Sequence, residues 1–230
     1  MAACRPERQE PKLVGRKSGT IWVMSMIQIE SVSPPLNSPR VAALAVRILS
    51  VAGAMGLLPA REPIRRLDRG VLERVARSAA SSAGIGRDVL ADLRRADRPD
   101  RMEPAVRRLY EALERSPAPS TEWRSLVAVL GPDLLAPLLR ISVSSLRRYL
   151  ARSRRTPDVI ADRLHFLALV FADLAGSYND FGVRRWFERP RVLLDGKAPA
   201  QLLKGDWRVD DAGPTRVREL AYALTGPLGT

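Results

Sequence analysis

Residues Gly131 to Asn179 read GPDLLAPLLRISVSSLRRYLARSRRTPDVIADRLHFLALVFADLAGSYN, and their pattern decides the fold. Two short helices around a tight turn are expected, followed by one long helix. The first short helix spans Leu134 to Leu139, with Ala136 and Leu138 or Leu139 turned to the core. Arg140-Ile141-Ser142 makes the turn. The Ser142 side-chain oxygen is suited to cap the next helix, whose first N–H groups lack internal partners. That helix, Val143 to about Arg152, sets Leu146 and Leu150 four residues apart on one face. Ser144, Ser145, Arg147, Arg148 and Arg152 are left outside. A groove-entering helix has this layout: apolar toward the domain, small polar and arginine residues toward DNA. Between Arg140 and Arg155 there is no acidic residue. The plain alternative is a solvated basic helix in a two-helix hairpin. Arg140 stands where many helix-turn-helix units carry glycine, and Pro137 lies inside the first helix, where proline is tolerated only near a helix start.

The chain has 230 residues and a net charge of +13, enough length for one or two domains with a real core. The charge favours a polyanion or an acidic protein as partner over an acidic small substrate. A single cysteine, Cys4, rules out a disulfide within the chain and a thiolate metal site. The lone histidine, His165, rules out a multi-histidine metal site. It lies inside the apolar run Leu164 to Phe171, where a packing role outweighs a catalytic one. The small-residue segment Val41 to Leu58 is interrupted by Arg47, Gly53 and Gly56, well short of the roughly 20 apolar residues a membrane span needs. It reads as a buried or self-associating helix. A reducing cytoplasm is the expected setting.

From the N-terminus, residues 1–39 read as a disordered segment with a proline and serine cluster at Ser31 to Pro39. The patch Ile21 to Ile29 is the one apolar stretch within it, a short strand or helix in the making. Residues 40–116 read as an accessory region of four helices: about Arg40–Leu58, Ile64–Ala83, Gly86–Ala96 and Glu103–Glu114. Leu67, Val71, Leu72, Val75 and Ala79 recur at helical spacing. Glu103 and Arg107 form an i,i+4 pair. The hinge Ser116 to Ser120 (SPAPS) is expected to divide the chain. Thr121 then caps a helix to Leu130 carrying Trp123, Leu126, Val127 and Leu130 on one face. Residues 121–179 hold the helix-turn-helix and a long core helix. That long helix starts at Thr156-Pro157, with a capping residue and proline at the first position, and runs to about Ser177.

After Asn179 the text runs FGVRRWFERPRVLLDGKAPAQLLKGDWRVDDAGPTRVRELAYAL. A short helix Val183–Phe187 ends in two aromatics and stops at Pro190. Leu193-Leu194-Asp195-Gly196 makes a turn. Ala198-Pro199 opens another short helix, and a last helix runs from Pro214 to Leu224. By themselves these elements are a small helical cap.

The order of Trp186, Pro190, Leu194, Gly196, Pro199, Leu202, Leu203, Gly205, Val217 and Leu220 resembles the Xre/MbcA/ParS antitoxin family. A helix-turn-helix and long helix lie upstream, as in that family. The resemblance covers about Glu122 to Leu224. It implies an all-α fold: a helical N-terminal region, a helix-turn-helix, and a toxin-binding helical domain over residues 180–230. It also implies an antitoxin that covers the active-site cleft of a RES-domain toxin, an enzyme that consumes NAD or ADP-ribosylates a protein. The toxin-contact set would be Trp186, Phe187, Pro190, Leu194, Gly196, Pro199, Leu202, Leu203, Val217 and Leu220. The DNA-contact set would be Ser142, Ser144, Ser145, Arg147, Arg148 and Arg152, reading operator DNA. A homodimer or a toxin–antitoxin hetero-oligomer is the expected assembly, with no membrane. A stand-alone helix-turn-helix regulator is the competing reading. No catalytic residue, metal or cofactor is expected, because the chain has no glycine-rich phosphate loop, no ligand cluster and no nucleophile–base pair near His165.

Overall fold

The computed structural model describes residues 27–58 and 63–224. The fold is all-α. In order, the elements are strand β1 (Ile27–Val32), α1 (Pro39–Ala54), strand β2 (Ile64–Leu67), α2 (Arg69–Ala83), α3 (Val89–Arg95), α4 (Pro99–Arg115), α5 (Pro119–Leu138), α6 (Val143–Leu150), α7 (Asp158–Leu174), α8 (Asp180–Glu188), a 3-10 turn (Val192–Leu194), α9 (Pro199–Leu202) and α10 (Ala212–Ala223). The expected readings of residues 1–26, with Cys4, and of the tail after Leu224 lie outside the described residues.

Two local signals produce α1. Ser38 accepts a hydrogen bond from the Val41 N–H at 3.4 Å, and Pro39 takes the first helical position, where a missing N–H costs nothing. α1 also joins two strands that pair in parallel, Ile27 to Ile64 and Val32 to Leu67. This corrects the sequence reading twice. Residues 27–32 are ordered strand, and Ile64–Leu67 is strand, not the first turn of a helix. Asp68 separates the two, because its carboxylate caps α2 by accepting from Val71 N–H at 2.9 Å. Helix α4 begins at Pro99, earlier than expected, so Pro104 lies inside it and not at its start.

Helix α7 is the hub. Every residue from Arg163 to Leu174 is buried, and it packs on α1, α5 and α10. Its start differs from the expected one: Pro157 stands at the cap position, and the Thr156 hydroxyl instead accepts from Trp123 Nε1 at 2.9 Å. Likewise α5 begins at Pro119, so Thr121 sits in its first turn and donates its hydroxyl to the Ala118 carbonyl at 3.2 Å. One apolar cluster runs from Leu36 to Ala221, on both sides of Ser116–Ser120. At Gly56, with φ of 71°, a Cβ would meet the Thr121 carbonyl oxygen at 2.9 Å. Only glycine lets the end of α1 approach α5 so closely.

Arg47, which interrupts the apolar text of α1, is accommodated inside the fold. Its guanidinium lies 4.4 Å from the Tyr222 ring centroid and 5.4 Å from that of Tyr110, and 3.5 Å from the Asp173 carboxylate. Arg218 of α10 closes the network, bonding Asp173 at 2.6 Å and Glu114 at 3.0 Å. No described helix is long and apolar enough to cross a membrane.

Candidate functional site

The stretch expected to form a helix-turn-helix begins at a break in α5. Gly131 has φ 71° and ψ 160°, a conformation open to glycine, and its ψ is the extended value a residue before proline prefers. Pro132 then restarts the helix, so Pro137 falls in its second turn. The helix closes with Arg140 N–H on the Pro137 carbonyl and Ile141 N–H on the Ala136 carbonyl, both at 3.1 Å. This is the two-bond closure that usually carries glycine in the left-handed position. Here Arg140 occupies it, at φ 59°. Ser142 then caps α6 by accepting from Ser145 N–H at 3.1 Å.

Helix α6 repeats the device. Ser153 N–H bonds the Arg148 carbonyl at 3.0 Å, and Arg152 is left-handed at φ 56°. Both helices of the motif therefore end on an arginine where glycine is the usual residue.

The outer face of α6 is partly as expected. Ser142, Ser144, Arg147, Arg148 and Arg152 are exposed and Ser145 is half-buried. The serine hydroxyls are tied to one another, with Ser142 Oγ 2.9 Å from Ser144 Oγ and 3.1 Å from Ser145 Oγ. Arg152 donates to the Ser120 carbonyl at 3.0 Å, so it fastens α6 to the start of α5. Arg147 and Arg148 make no ion pair among the described residues. On the inner face, Leu146 is buried but Leu150 is not. Tyr149 takes that place, stacked on Trp123 at 5.5 Å. Three residues from Leu146 leads to Tyr149 and four leads to Leu150, and the large flat ring of Trp123 selects the aromatic.

The C-terminal set divides sharply. Trp186, Phe187, Leu194, Pro199, Leu203 and Val217 are buried. They hold the unit together, and in this fold their side chains lie beneath its surface. Pro190 and Gly196 are exposed, and Leu202 and Leu220 half-buried. Trp186 and Phe187 meet edge to face at 5.2 Å. Trp207, absent from the expected set, closes the unit. Its Nε1 donates to the Leu138 carbonyl at 3.0 Å, and its carbonyl accepts from the buried Arg163 at 2.8 Å. Arg163 also bonds Asp206 at 2.6 Å, and that bond and charge hold the Asp206 carboxyl below its usual range.

What lies outside was not singled out from the sequence. Val192 is 93% exposed and Leu193 72% exposed, on the turn between α8 and α9. Phe181 is exposed on α8, with the Arg185 guanidinium 5.4 Å from its ring. The signal was present: in Val192-Leu193-Leu194 before Asp-Gly, only one of three apolar side chains can point inward from so tight a turn.

The lone histidine bridges three helices. His165 Nδ1 lies 2.7 Å from Glu122 Oε1, and Nε2 lies 2.9 Å from the Glu114 carbonyl. Burial pulls the imidazole pKa down, but the hydrogen bond and charge of Glu122 and the bond to Glu114 outweigh it, leaving the value above the ordinary one. Glu122 is fully buried, and its second oxygen has no hydrogen-bond partner among the described residues. No group of three or more metal-type ligands gathers among the described residues. Searches against protein-family models, curated proteins and solved structures found no match for this chain.

Proposed function

We propose that this chain is a toxin-neutralising protein. It acts by binding, not by catalysis, in the cytoplasm. Its C-terminal unit engages a RES-domain toxin and covers the cleft where that toxin handles NAD or its protein target, while α6 reads operator DNA.

One observation carries this. The scattered residues behind the family resemblance converge on one small unit, most of them with a structural job. Trp186, Leu194, Pro199, Leu203 and Val217 form its buried centre. Gly196 and Gly205, at φ 73° and 78°, take the left-handed conformations that glycine adopts without strain. A residue pattern that specifies a unit in this way is more than chance spacing. Upstream, the bases and phosphates of DNA find in α6 a short capped helix with Arg147 and Arg148 free on its outer face.

The test is co-expression with a RES-domain toxin. Rescue of growth and a complex that survives size exclusion are expected. Binding to the chain's own promoter in a gel shift, with no toxin complex, replaces this function with that of a stand-alone regulator.

A further inference from the structure

We propose that the Val192–Leu193 turn is a preformed apolar plug that seats in an acidic-rimmed pocket of the partner protein. The partner's identity rests on the toxin-binding function proposed above.

Single exposed apolar residues are ordinary on a protein surface. This pair is different in two ways. The turn that displays it is rigid: Arg191 N–H bonds the Lys197 carbonyl at 3.1 Å, and the Leu194, Asp195 and Gly196 N–H groups all bond back within the turn at 3.0 Å. Leu194, 1% exposed, anchors it from beneath. Arg216 of α10 braces it from the side, reaching Asp195 at 2.8 Å and the Leu193 carbonyl at 2.9 Å. So much bracing holds two side chains that contribute almost no burial of their own. A fixed apolar projection loses little freedom on binding, which is where preorganised contacts gain affinity.

The surroundings choose the partner's chemistry. Arg189 and Lys197 flank the turn and are exposed, and neither makes an ion pair among the described residues. Asp195 is already engaged by Arg216. The Arg191 guanidinium lies 5.5 Å from the Trp186 ring centroid. Lys197 lies near enough to Asp195 for its charge to act on that carboxylate, while the exposed Arg189 has no ion pair among the described residues. An apolar tip flanked by exposed cations is complementary to an apolar cleft with carboxylates at its mouth. Phe181 is excluded from the plug because Arg185 already stacks on it.

The test uses the full chain and the RES-domain toxin it neutralises in co-expression, in a calorimetric titration. Two variants are compared: V192S/L193S and R189E/K197E. All four side chains are at the surface, so the thermal melts stay at the wild-type value. The serine pair is expected to weaken binding by about tenfold or more. The charge reversal is expected to weaken binding and flatten its salt dependence across titrations at several salt concentrations. Binding by the serine pair within twofold of wild type overturns the plug while leaving the toxin-binding function standing. Loss of promoter binding in place of toxin binding also overturns it, and makes the turn a DNA wedge. No complex with the wild-type chain overturns the plug and the toxin-binding function together.

Discussion

Removing His165 is expected to destabilise the fold far more than removing His165 and Glu122 together. The imidazole stands between two acceptors, the Glu122 carboxylate at 2.7 Å and the Glu114 carbonyl at 2.9 Å. A neutral ring has one N–H and can serve only one of them; an imidazolium serves both. His165→Leu leaves a fully buried carboxylate and a carbonyl without donors. Breaking a buried pair from one side costs about 3–5 kcal/mol. In Glu122→Leu/His165→Leu the buried charges are gone, and only the Glu114 carbonyl is left unpaired, for about 1–3 kcal/mol. The double variant is therefore expected to be more stable than His165→Leu alone. Urea unfolding of the two single variants and the double variant measures this. Additivity of the single effects to within about 0.5 kcal/mol would refute the pairing.

The same pair sets a pH dependence, and its sign is fixed. The folded pKa of His165 lies above the ordinary value of 6.5. Its contribution is fully present below 6.5 and is lost as pH rises through the raised folded value. Stability of the wild type should fall as pH rises from 6.5 through the raised folded value, and the His165→Leu variant should lack that component. His165 is the only histidine in the chain, so one imidazole resonance reports the titration without assignment. The groups facing it are Glu122 from α5, Glu114 from α4 and Arg218 from α10, whose charge opposes protonation. A neutral imidazole at pH 6 is the result that sinks the charged pair.

Arg140→Gly should stabilise the protein by about 1 kcal/mol, since it relieves a left-handed residue other than glycine. Arg152→Gly should gain less, because it also removes the bond to Ser120, and thermal melts of the two compare them directly. Arg147→Ala with Arg148→Ala should leave the melt unchanged and abolish promoter binding, which rests largely on phosphate charge; retained gel shifts would remove α6 from the DNA contact. Trp186→Ala should cost about 3–5 kcal/mol, so any loss of toxin protection must be judged beside circular dichroism. An unmoved melt would show that Trp186 is not core.

Features written in local chemistry were legible in the sequence. Gly131-Pro132 marked the helix break, Ser142 the cap, and the apolar run after Thr156 the central helix. Features decided by distant packing were not. Ile64–Leu67 shares its apolar spacing with the helix after it, and only pairing with Ile27–Val32 makes it a strand. Tyr149 faces inward because Trp123, 26 positions earlier, offers a ring to stack on. The C-terminal motif was legible as a set, but not which of its members lie inside. Large apolar residues at such spacing build a unit before they contact anything, so Trp186 and Val217 mark the core, while Val192 and Leu193 remain outside it.

The arginine content carries the same lesson for charge. A net charge of +13 invites a polyanion, yet several arginines are engaged within the fold. Arg47 is sandwiched by tyrosines beside Asp173. Arg163 is buried against Trp207, and Arg218 joins Asp173 to Glu114. Arg152 ties α6 to α5, and Arg216 braces the exposed turn. Each supplies several fixed donors to carbonyls and carboxylates. Their charge is spent internally, and replacing them would disturb the fold before it disturbed any ligand. Exposed cations without an ion pair among the described residues remain at several places, among them Arg147 and Arg148 on α6, and Arg189 and Lys197 beside the Val192–Leu193 turn. Those two groups stand on different elements, and under the proposed function they would meet different chemistry, phosphate in one case and carboxylate in the other. Loss of DNA binding and loss of toxin binding should therefore be separable by surface substitutions alone.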